Sequence, residues 1–553
     1  MPISRRTMLR TITGGLAYTA KGGLRQGLAQ TNETCSASCA PLIPCMTDTI
    51  WVNKHENVRH PVSRLYRPVN RTSECLALGQ ENAWQAGLEG LEAILREVER
   101  TGKRTRAVGG TWSLSDAATC PDFMIDTSFL NYHAPIANEH VLPFSAIPPR
   151  LLYFAQCGTS VEELNTDLQA RGLCLRTSGA SQGQTICGAF STGTHGSALG
   201  LGAMQDYIVG MHILVGPGKS YWLEQKSQPI VTDSFCRKLE AERWADDELF
   251  SAALVSFGCF GIIHSVLIEV EDIYSLKVCR SYVDWSAVRT MAGSLDFAKL
   301  PELIRCDDNR RAPAERPFHF EVDMNPYQAG EGQKGVSLVA MYKLPFTAPP
   351  PCKLVHMEAG VDVLAIVGGL STTLPFLVAP VTNHQFHSIW SDSEPCDQGP
   401  RGNVFNATQI KGKSMSCEIG VSLHDAVQAM EVLIATAKAH PFPGLLTMRY
   451  VWQSKAMLAF TRFPVTCTIE LPAAASQRTR QYYTRAFDAL KAVGIPFTLH
   501  WGQMNDLNEG NVRARWGDDT VSRWIQARRR LLSAPGERYR FSNDLSDRCG
   551  LSI

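Results

Sequence analysis

The sequence predicts an α+β protein built from two domains. Between residues 51 and 275, β-prone runs alternate with segments of helical periodicity, a pattern typical of a compact α/β unit. Between residues 415 and 501, strand-like runs and two helices follow one another in an order that suits an antiparallel sheet covered by helices on one face. The chain of 553 residues is long enough for both domains.

The first domain opens with a helix and a strand that lead to a glycine pair. Trp84, Leu88, Leu91 and Leu95 recur at helical spacing, and a β-prone run over residues 105–108 follows them. Two glycines end this run, which predicts a turn.

A second strand and helix come next. A strand is predicted over residues 151–156, and Ser160 and Glu163 then form a capping box, in which each residue satisfies a free backbone N–H group of the other. Further strands are predicted over residues 206–215 and 261–270.

Three stretches rich in proline, glycine and charge predict surface loops over residues 309–317, 345–351 and 393–403. The strands predicted after them cover residues 415–422, 445–451, 466–471 and 496–501. The helices predicted between these strands cover residues 424–438 and 477–493.

The composition excludes several classes of protein. Hydrophobic residues make up 44% and charged residues 19%, as in ordinary soluble globular proteins. Lys and Arg number 54 against 53 Asp and Glu, so the basic excess typical of a nucleic-acid binder is missing. No apolar run reaches about 18 residues, so no integral membrane segment is expected.

The chain has seventeen cysteines, an odd number that leaves at least one thiol unpaired within the chain. Cys35, Cys39 and Cys45 cluster near the N-terminus, but no CxxC or nearby CxxH completes a zinc site, so no metal is expected. These cysteines are expected to form disulfides if the protein is exported and to be buried thiols otherwise.

The N-terminus resembles a twin-arginine export signal. Arg5 and Arg6 are followed by a modestly apolar stretch over residues 12–20. We therefore expect a signal over residues 1–30, a cysteine-containing linker over residues 31–50, and a periplasmic or secreted protein. The alternative is a basic terminus that targets nothing, in a cytoplasmic protein.

The first segment that indicates chemistry is the glycine pair with its neighbours, AVGGTWSLS over residues 107–115. Glycines allow close approach of a ligand to the backbone, and the exposed N–H groups of such a loop can bind an anion. The hydroxyl groups of Thr111, Ser113 and Ser115 add donors, so a pyrophosphate suits the loop. The alternative is a tight strand-to-loop turn.

Two further segments are rich in small residues. Residues 178–197 contain five glycines, seven hydroxyl residues and His195, with Ile186 and Phe190 as apolar anchors. We interpret this segment as an ordered wall beside a flat ligand, the alternative being a flexible surface loop. Residues 257–263, FGCFGII, predict a paired-glycine turn that enters a strand.

In this order the segments resemble the PCMH-type FAD-binding domain of the vanillyl-alcohol oxidase superfamily, and most of all its aldonolactone oxidase and alditol oxidase group. WVNKHEN over residues 51–57 is similar to the opening strand of that domain, and GQTICGAFSTGTHGS to its flavin-facing loop. Residues 448–451, MRYV, resemble the arginine strand of the substrate domain, and residues 500–502 the HWG signature. The resemblance covers about residues 50–545.

The resemblance implies a flavin oxidoreductase. It would transfer a hydride from a CH–OH donor, such as a sugar lactone, an alditol or a related alcohol, to flavin N5 and pass the electrons to oxygen or another acceptor. The implied domains are an FAD-binding domain over residues 51–275, a substrate domain over residues 276–515, and a C-terminal helix and tail over residues 516–553 that return to the FAD domain.

The resemblance also implies the site. Arg449 is expected to be a fixed cation that stabilises negative charge on the substrate oxygen, with His500 and Gln503 in the same cavity, and His195 a hydrogen-bonding wall residue. The residues expected to bind the cofactor are Val108, Gly109, Gly110, Thr111, Trp112, Ser113, Gly183, Thr185, Gly188, Ser191, Thr192, Gly193, His195, Gly258, Gly261 and Ile262.

Three positions depart from the group. Trp112 stands where many relatives have a flavin-tethering histidine, which predicts non-covalent FAD. Thr447 and Gln503 stand where the group often has glutamate and lysine, which predicts a less charged cavity. Two alternatives stay open: a flavoenzyme for a less polar secondary-metabolite or sterol-like alcohol, and a flavin-binding protein without turnover.

Overall fold

The computed structural model describes residues 43–70, 80–306, 312–347, 374–388, 398–405 and 413–553. The strands in these ranges are β1 (Cys45–Val52), β2 (Arg59–Tyr66), β3 (Thr105–Val108), β4 (Phe123–Asp126), β5 (His133–Pro135), β6 (Leu152–Gln156), β7 (Leu173–Leu175), β8 (Ile208–Gly216), β9 (Lys219–Glu224), β10 (Glu242–Ala245), β11 (Ile262–Asp272), β12 (Tyr274–Val283), β13 (His319–Met324), β14 (Val336–Pro345), β15 (Gln398–Pro400), β16 (Ser414–Met415), β17 (Glu418–Ser422), β18 (Leu446–Trp452), β19 (Val465–Glu470), β20 (Ala473–Ala474) and β21 (Phe497–Leu499).

The α-helices in the same ranges are α1 (Gln80–Thr101), α2 (Val161–Ala170), α3 (Ile186–Thr192), α4 (Asp233–Lys238), α5 (Asp247–Leu254), α6 (Trp285–Ser294), α7 (Leu300–Leu303), α8 (Val378–Ser388), α9 (Arg401–Val404), α10 (Ala426–Ala439), α11 (Gln477–Ala492), α12 (Glu509–Trp516), α13 (Asp518–Leu531), α14 (Pro535–Arg540) and α15 (Asp544–Arg548).

The described part of the chain contains three large sheets and a two-stranded sheet formed by β16 and β20. The first sheet has the order β1-β2-β4-β3, and the second has the order β10-β9-β8-β11-β6-β5 with β7 paired to β11. The third has the order β15-β12-β14-β13-β18-β19-β17-β21, and all of its neighbours are antiparallel. This arrangement confirms the predicted α+β fold class.

The elements predicted from local signals form where they are expected. The periodic leucines lie on helix α1, and strand β3 occupies residues 105–108. The capping box opens helix α2: the Ser160 N–H group donates to Glu163 Oε2 (2.8 Å), and the Glu163 N–H group donates to Ser160 Oγ (3.1 Å).

Three elements differ from the prediction. The strand expected over residues 415–422 is divided, because β16 pairs with β20 whereas β17 belongs to the third sheet. The strand expected from residue 206 begins at Ile208, because the Asp206 carboxylate accepts the Ala203 N–H group (2.8 Å) and holds the preceding residues in a 3-10 turn. The described part of the loop predicted over residues 393–403 contains strand β15 and the start of helix α9.

The third sheet has one apolar and one polar face, because its strands alternate in character. Val322, Ile419, Met448, Ile469 and Leu499 are fully buried. They share one hydrophobic core with the inner residues of helices α10 and α11. The opposite face carries the polar side chains that form part of the site described below.

The first and second halves of the chain are joined by hydrogen bonds. The Leu199 N–H group donates to the Phe318 carbonyl (2.7 Å), and the Trp452 N–H group donates to the Leu201 carbonyl (2.9 Å). Near the C-terminus, Trp524 Nε1 donates to the carbonyl of Ala252 (3.0 Å). The domain boundaries at residues 275 and 515 remain predictions.

A disulfide joins Cys279 and Cys306. Cys45 has a free, exposed thiol, whereas Cys35, Cys39 and the signal predicted over residues 1–30 lie outside the described residues. Over the described ranges, no helix has the length and apolarity needed to cross a bilayer.

Candidate active site

A cavity of about 880 Å³ runs between the loops of the first half and the polar face of the third sheet. Such a volume lies in the usual range for cofactor and ligand sites. Most of the predicted cofactor-binding residues line it: Val108, Gly109, Gly110, Thr111, Trp112, Ser113, Thr185, Gly188, Ser191, Thr192, His195, Gly258 and Gly261. All three predicted substrate-cavity residues, Arg449, His500 and Gln503, line the same cavity.

Three predicted cofactor-binding residues do not line the cavity. Gly183 lies behind it, with its carbonyl packed against Gly110. Gly193 ends helix α3 in a left-handed conformation (φ 96°). Ile262 points away from the cavity, because side chains alternate along strand β11 and it is Ile263 that lines the cavity.

The glycine pair is required by close packing between two loops. A Cβ atom on Gly109 would lie 1.9 Å from Thr185 Oγ1, and a Cβ atom on Gly110 would lie 2.5 Å from the Gly183 carbonyl oxygen. Thr111 then adopts a left-handed backbone conformation (φ 60°), which turns the loop along the cavity wall. Loops turned in this way present N–H groups to anions.

The cavity wall fits a large polar cofactor such as FAD. Within the described residues, four buried side-chain atoms of lining residues have no hydrogen-bond partner: Trp112 Nε1, Ser178 Oγ, Gln184 Oε1 and Gln503 Oε1. Buried polar groups are nearly always paired in native proteins, so these atoms mark places where a bound molecule supplies the partner. Residues 108–113, 178–196 and 257–261 would hold the cofactor.

The HWG segment is tied to the first loop by hydrogen bonds. The Leu114 N–H group donates to the Gly502 carbonyl (2.7 Å), and Ser115 Oγ donates to the Trp501 carbonyl (2.6 Å). These contacts place His500 and Gln503 at the junction of the cofactor loops and the third sheet.

The polar face of the third sheet presents two rows of side chains, fixed by strand register. One row is Asp323, Thr447, Glu470 and Glu418, on β13, β18, β19 and β17. The next row is Glu321, Arg449, Thr468 and Gly420 on the same strands. Each strand contributes residues two apart, which therefore point to the same face.

Arg449 lies between two carboxylates. Its Nη1 donates to Glu470 Oε2 (2.6 Å) and its Nη2 to Glu321 Oε1 (3.0 Å). Burial would lower the pKa of Arg449, but Glu321, Glu470 and Glu418 outweigh burial and raise this pKa well above its usual value. Arg449 is therefore a cation at neutral pH.

Two neighbouring carboxyl groups differ in protonation. Burial would raise the pKa of Glu321, but Arg449 and His319 outweigh it and lower this pKa to about 2. Burial raises the pKa of Asp323 to about 7, and the charge of Glu321 adds to the rise. Thr447 Oγ1 donates to Asp323 Oδ1 (2.8 Å). Near neutral pH, Glu321 is ionised and Asp323 is partly protonated.

The two histidines of the cavity also differ. His195 contacts Glu418 Oε1 through Nε2 (2.9 Å) and the Gly196 carbonyl through Nδ1 (2.8 Å). Burial would lower the pKa of His195, but Glu418 outweighs it and raises this pKa. His500 accepts the Gly502 N–H group at Nδ1 (3.0 Å), which leaves its proton on Nε2, and burial lowers its pKa to about 4.

The cavity is more charged than the sequence predicted. Thr447 and Gln503 are themselves uncharged, but Glu321, Glu418 and Glu470 reach the same cavity from neighbouring strands. Gln503 Nε2 donates to both Glu418 Oε2 and Glu470 Oε1, each at 3.3 Å. The prediction of a less charged cavity was therefore wrong for this part of the structure.

The acidic residues of the sheet face were missed by sequence reasoning, although a signal for them existed. Glu321 and Asp323 alternate with apolar residues on strand β13, and Glu418 and Glu470 do the same at the ends of β17 and β19. A charged residue on an otherwise buried strand is unusual and marks a polar face. The register that brings these strands together could not be derived from this pattern.

Comparisons with known proteins agree with the cofactor site. Residues 87–224 match the model of a family described as FAD binding domain. This match confirms the predicted PCMH-type FAD-binding domain for that part of the chain, and FAD as its cofactor.

Relatives with known names are similar over parts of the chain. The D-arabinono-1,4-lactone oxidase of Eremothecium gossypii is 25% identical over 35% of this chain and 32% of its own length, so the match spans about a third of that relative. The L-gulono-1,4-lactone dehydrogenase of Mycobacterium tuberculosis is 22% identical over 77% of this chain and 87% of its own length.

Among solved structures, the fold is similar to the cholesterol oxidase from B. sterolicum. The TM-score is 0.65 at 13% identity, and the match covers 92% of this chain and 97% of that chain. The likeness shows that this chain shares the overall fold of that protein.

Proposed function

We propose that this chain is an FAD-dependent oxidoreductase that oxidises the CH–OH group of a sugar lactone, an alditol or a related alcohol. One observation carries the proposal. The cavity lined by the cofactor loops continues to a sheet face on which the cation of Arg449 is held between two carboxylates. The names of the sequence relatives also support it.

FAD held by residues 108–113, 178–196 and 257–261 would supply the hydride acceptor for the carbinol carbon. The chain's own groups then handle the substrate oxygen. Arg449 stabilises negative charge on that oxygen, because a fixed cation in a water-poor cavity costs no reorganisation during the reaction. His500 Nε2–H serves as a second donor to the substrate.

Glu470 is the group that takes the hydroxyl proton. His500 cannot do so because it carries its proton on Nε2, and His195 has no free ring nitrogen because one contacts the Gly196 carbonyl and the other the Glu418 carboxylate. Among the three lining glutamates, the Glu470 side chain is the most exposed, at 20% against 16% for Glu321 and 4% for Glu418. With the proton on Glu470 and the hydride taken by the bound cofactor, the alcohol would become a carbonyl compound.

The second candidate substrate is a less polar alcohol. Part of the cavity is apolar: Met415, Pro443, Leu445, Pro472 and Ala473 line it beside the polar sheet face. An alcohol with an apolar body would place that body here and its hydroxyl group at Arg449.

A substrate panel tests both candidates. Holo-protein is mixed without oxygen with aldonolactones, alditols and apolar alcohols, and the loss of flavin absorbance is followed. Reduction by lactones or alditols supports the main proposal, and reduction by apolar alcohols alone supports the second. Bound flavin that no alcohol reduces would leave a flavin-binding protein without turnover.

We also propose that FAD is bound without a covalent bond. Trp112 occupies the position of the tethering histidine in related proteins, and its indole has neither the nucleophilic nitrogen nor the basicity for such a bond. Acid precipitation should release all of the flavin into the supernatant. A yellow pellet would contradict the proposal.

Export by the twin-arginine route is a further proposal. The arginine pair at Arg5 and Arg6 supports it, and so does the Cys279–Cys306 disulfide, since disulfides persist in oxidising compartments. A reporter fused to residues 1–50 should be exported, and replacing both arginines with lysine should block that export. Equal cytoplasmic retention of both fusions would contradict it.

A further inference from the structure

Glu418 connects the two halves of the cavity, and the proposed reaction does not use it. Its Oε1 accepts from His195 of the cofactor loop (2.9 Å), and its Oε2 accepts from Gln503 Nε2 (3.3 Å). Its backbone carbonyl accepts the His500 N–H group (3.1 Å). The Glu418 side chain is 4% exposed, so little water competes for these bonds.

The contacts of His195 favour a proton on each ring nitrogen. A carbonyl oxygen can only accept, so the contact with the Gly196 carbonyl (2.8 Å) places a proton on Nδ1. The Glu418 carboxylate faces Nε2 and also accepts from Gln503, an arrangement that favours the ionised carboxylate and a second proton on Nε2. His195 is then an imidazolium.

The electrostatics of the surroundings agree with this assignment. Burial would raise the pKa of Glu418, but His195 outweighs it and lowers this pKa to about 2. The other groups facing the His195 ring are Phe460 and His500, whose ring centroids lie at 5.4 and 6.4 Å, and the charge of Arg449 opposes protonation. His500 is neutral, so Glu418 supplies the balancing charge.

We propose that Glu418 is a positioning residue that holds His195 as a permanent imidazolium in the wall of the FAD cavity, so that two-electron reduction of the flavin takes up one proton. The inference rests on the proposed function in that it requires FAD in this cavity. A fixed positive charge in a poorly screened site stabilises the negative charge of the reduced flavin. No further proton is then needed, either on the ring or on His195.

The test is the pH dependence of the midpoint potential of the bound FAD between pH 7 and 9. For a two-electron couple, a tenfold change in proton activity shifts the potential by about 30 mV for each proton taken up. We expect about 30 mV per pH unit for the wild type. For Glu418→Gln, in which His195 is neutral before reduction and takes up a proton with it, we expect about 59 mV per pH unit.

Glu321→Gln is the matched control. Glu321 is also a buried carboxylate of the same sheet face and pairs with another histidine, His319 (3.0 Å), and with Arg449. Its loss leaves the pair of His195 and Glu418 in place. In Glu321→Gln, the midpoint potential of FAD should still change by about 30 mV per pH unit, which corresponds to one proton.

Either of two results would overturn the inference. One is a two-proton slope in the wild type, which needs no variant and therefore holds even if Glu418→Gln fails to fold. The other is an unchanged one-proton slope in Glu418→Gln with FAD bound. A protein that binds FAD but is reduced by no alcohol would defeat the proposed reaction and leave this measurement intact.

Discussion

Arg449 is the residue on which the proposed chemistry depends most directly. Its planar guanidinium forms ion pairs with Glu470 and Glu321 through different nitrogen atoms, and the two contacts fix its orientation on the sheet face. Lysine would keep the charge but not both contacts.

We expect Arg449→Lys to slow flavin reduction by at least about 10²-fold, the range seen when a preorganised donor is lost. FAD should remain bound, because the cofactor loops are unchanged. The measurement is anaerobic stopped-flow reduction at saturating substrate. Arg289→Lys is the control, since Arg289 pairs with Glu431 at the surface (3.5 Å). Equal rates for the two variants would contradict the role of Arg449.

Glu470→Gln tests the proton acceptor. Removing a general base slows a reaction by about 10²–10⁴-fold, so the rate of flavin reduction should fall by that factor. The amide keeps the size of the side chain, and the visible spectrum should show that FAD stays in place. Glu431→Gln, a change of the same kind at the surface, should have no effect. A Glu470→Gln enzyme reduced at the wild-type rate would assign the proton to another group.

The individual site residues could be predicted only in part. Arg449, His500 and Gln503 lie at positions of short motifs that resemble those of a known family, and that resemblance placed them together. Glu418 and Glu470 belong to no motif, and their meeting depends on the register of β17 on β19. Register is decided by tertiary packing, which a single sequence does not show.

Secondary-structure elements were more predictable than residue roles, because periodicity and caps act locally. Helix α1, strand β3 and the capped start of helix α2 follow from their own residues. The error at Ile262 shows the limit of such reasoning. A strand position shifted by one residue reverses the side of the sheet, so the choice between Ile262 and Ile263 required the structure.

The packing of the loop at Gly109 against the start of helix α3 predicts how the position of that helix affects FAD binding. In Gly109→Ala, the new Cβ atom would meet Thr185, the residue that caps helix α3 through its Oγ1. The loop and the helix must separate, and we expect the Kd for FAD to rise at least about 10-fold, or about 1.4 kcal/mol. Titration of the apo-protein with FAD, followed by flavin fluorescence, measures this change.

The control for that experiment is Gly536→Ala in helix α14, where a Cβ atom would meet no other atom within 4 Å. Its affinity for FAD should equal that of the wild type. If Gly109→Ala also binds FAD normally, the loop tolerates separation and the packing argument fails.

The stability of the whole molecule is linked to two histidines in the centre of the second sheet. His212 on β8 and His264 on β11 are fully buried, and their Nδ1 atoms lie 3.1 Å apart. His264 Nε2 contacts Gln156 Nε2 (2.8 Å), so it accepts a hydrogen bond from the amide N–H group. Burial lowers the pKa of His264 to about 3 and that of His212 well below its usual value. Both rings are therefore neutral in the folded protein.

The unfolded chain binds protons at these histidines below about pH 6.5, whereas the folded protein does not. A histidine whose pKa is lowered by folding favours unfolding in acid. The stability that the two neutral rings contribute is therefore complete above about pH 6.5 and is lost as the pH falls below that value. We expect two such groups to reduce the free energy of unfolding by about 3 kcal/mol between pH 7.5 and 5.5. Urea denaturation at both pH values measures this loss.

Comparison with the double variant His212→Gln/His264→Gln isolates the effect of the pair. Asp323 and His195 have raised pKa values in the fold and gain stability as the pH falls, but they titrate alike in both proteins and cancel in the difference. The variant should be less stable at pH 7.5 and should lose about 3 kcal/mol less on acidification. His424→Gln, at an exposed position, should lose as much as the wild type. If the double variant and the wild type lost stability in parallel, the acid sensitivity of the fold would originate elsewhere.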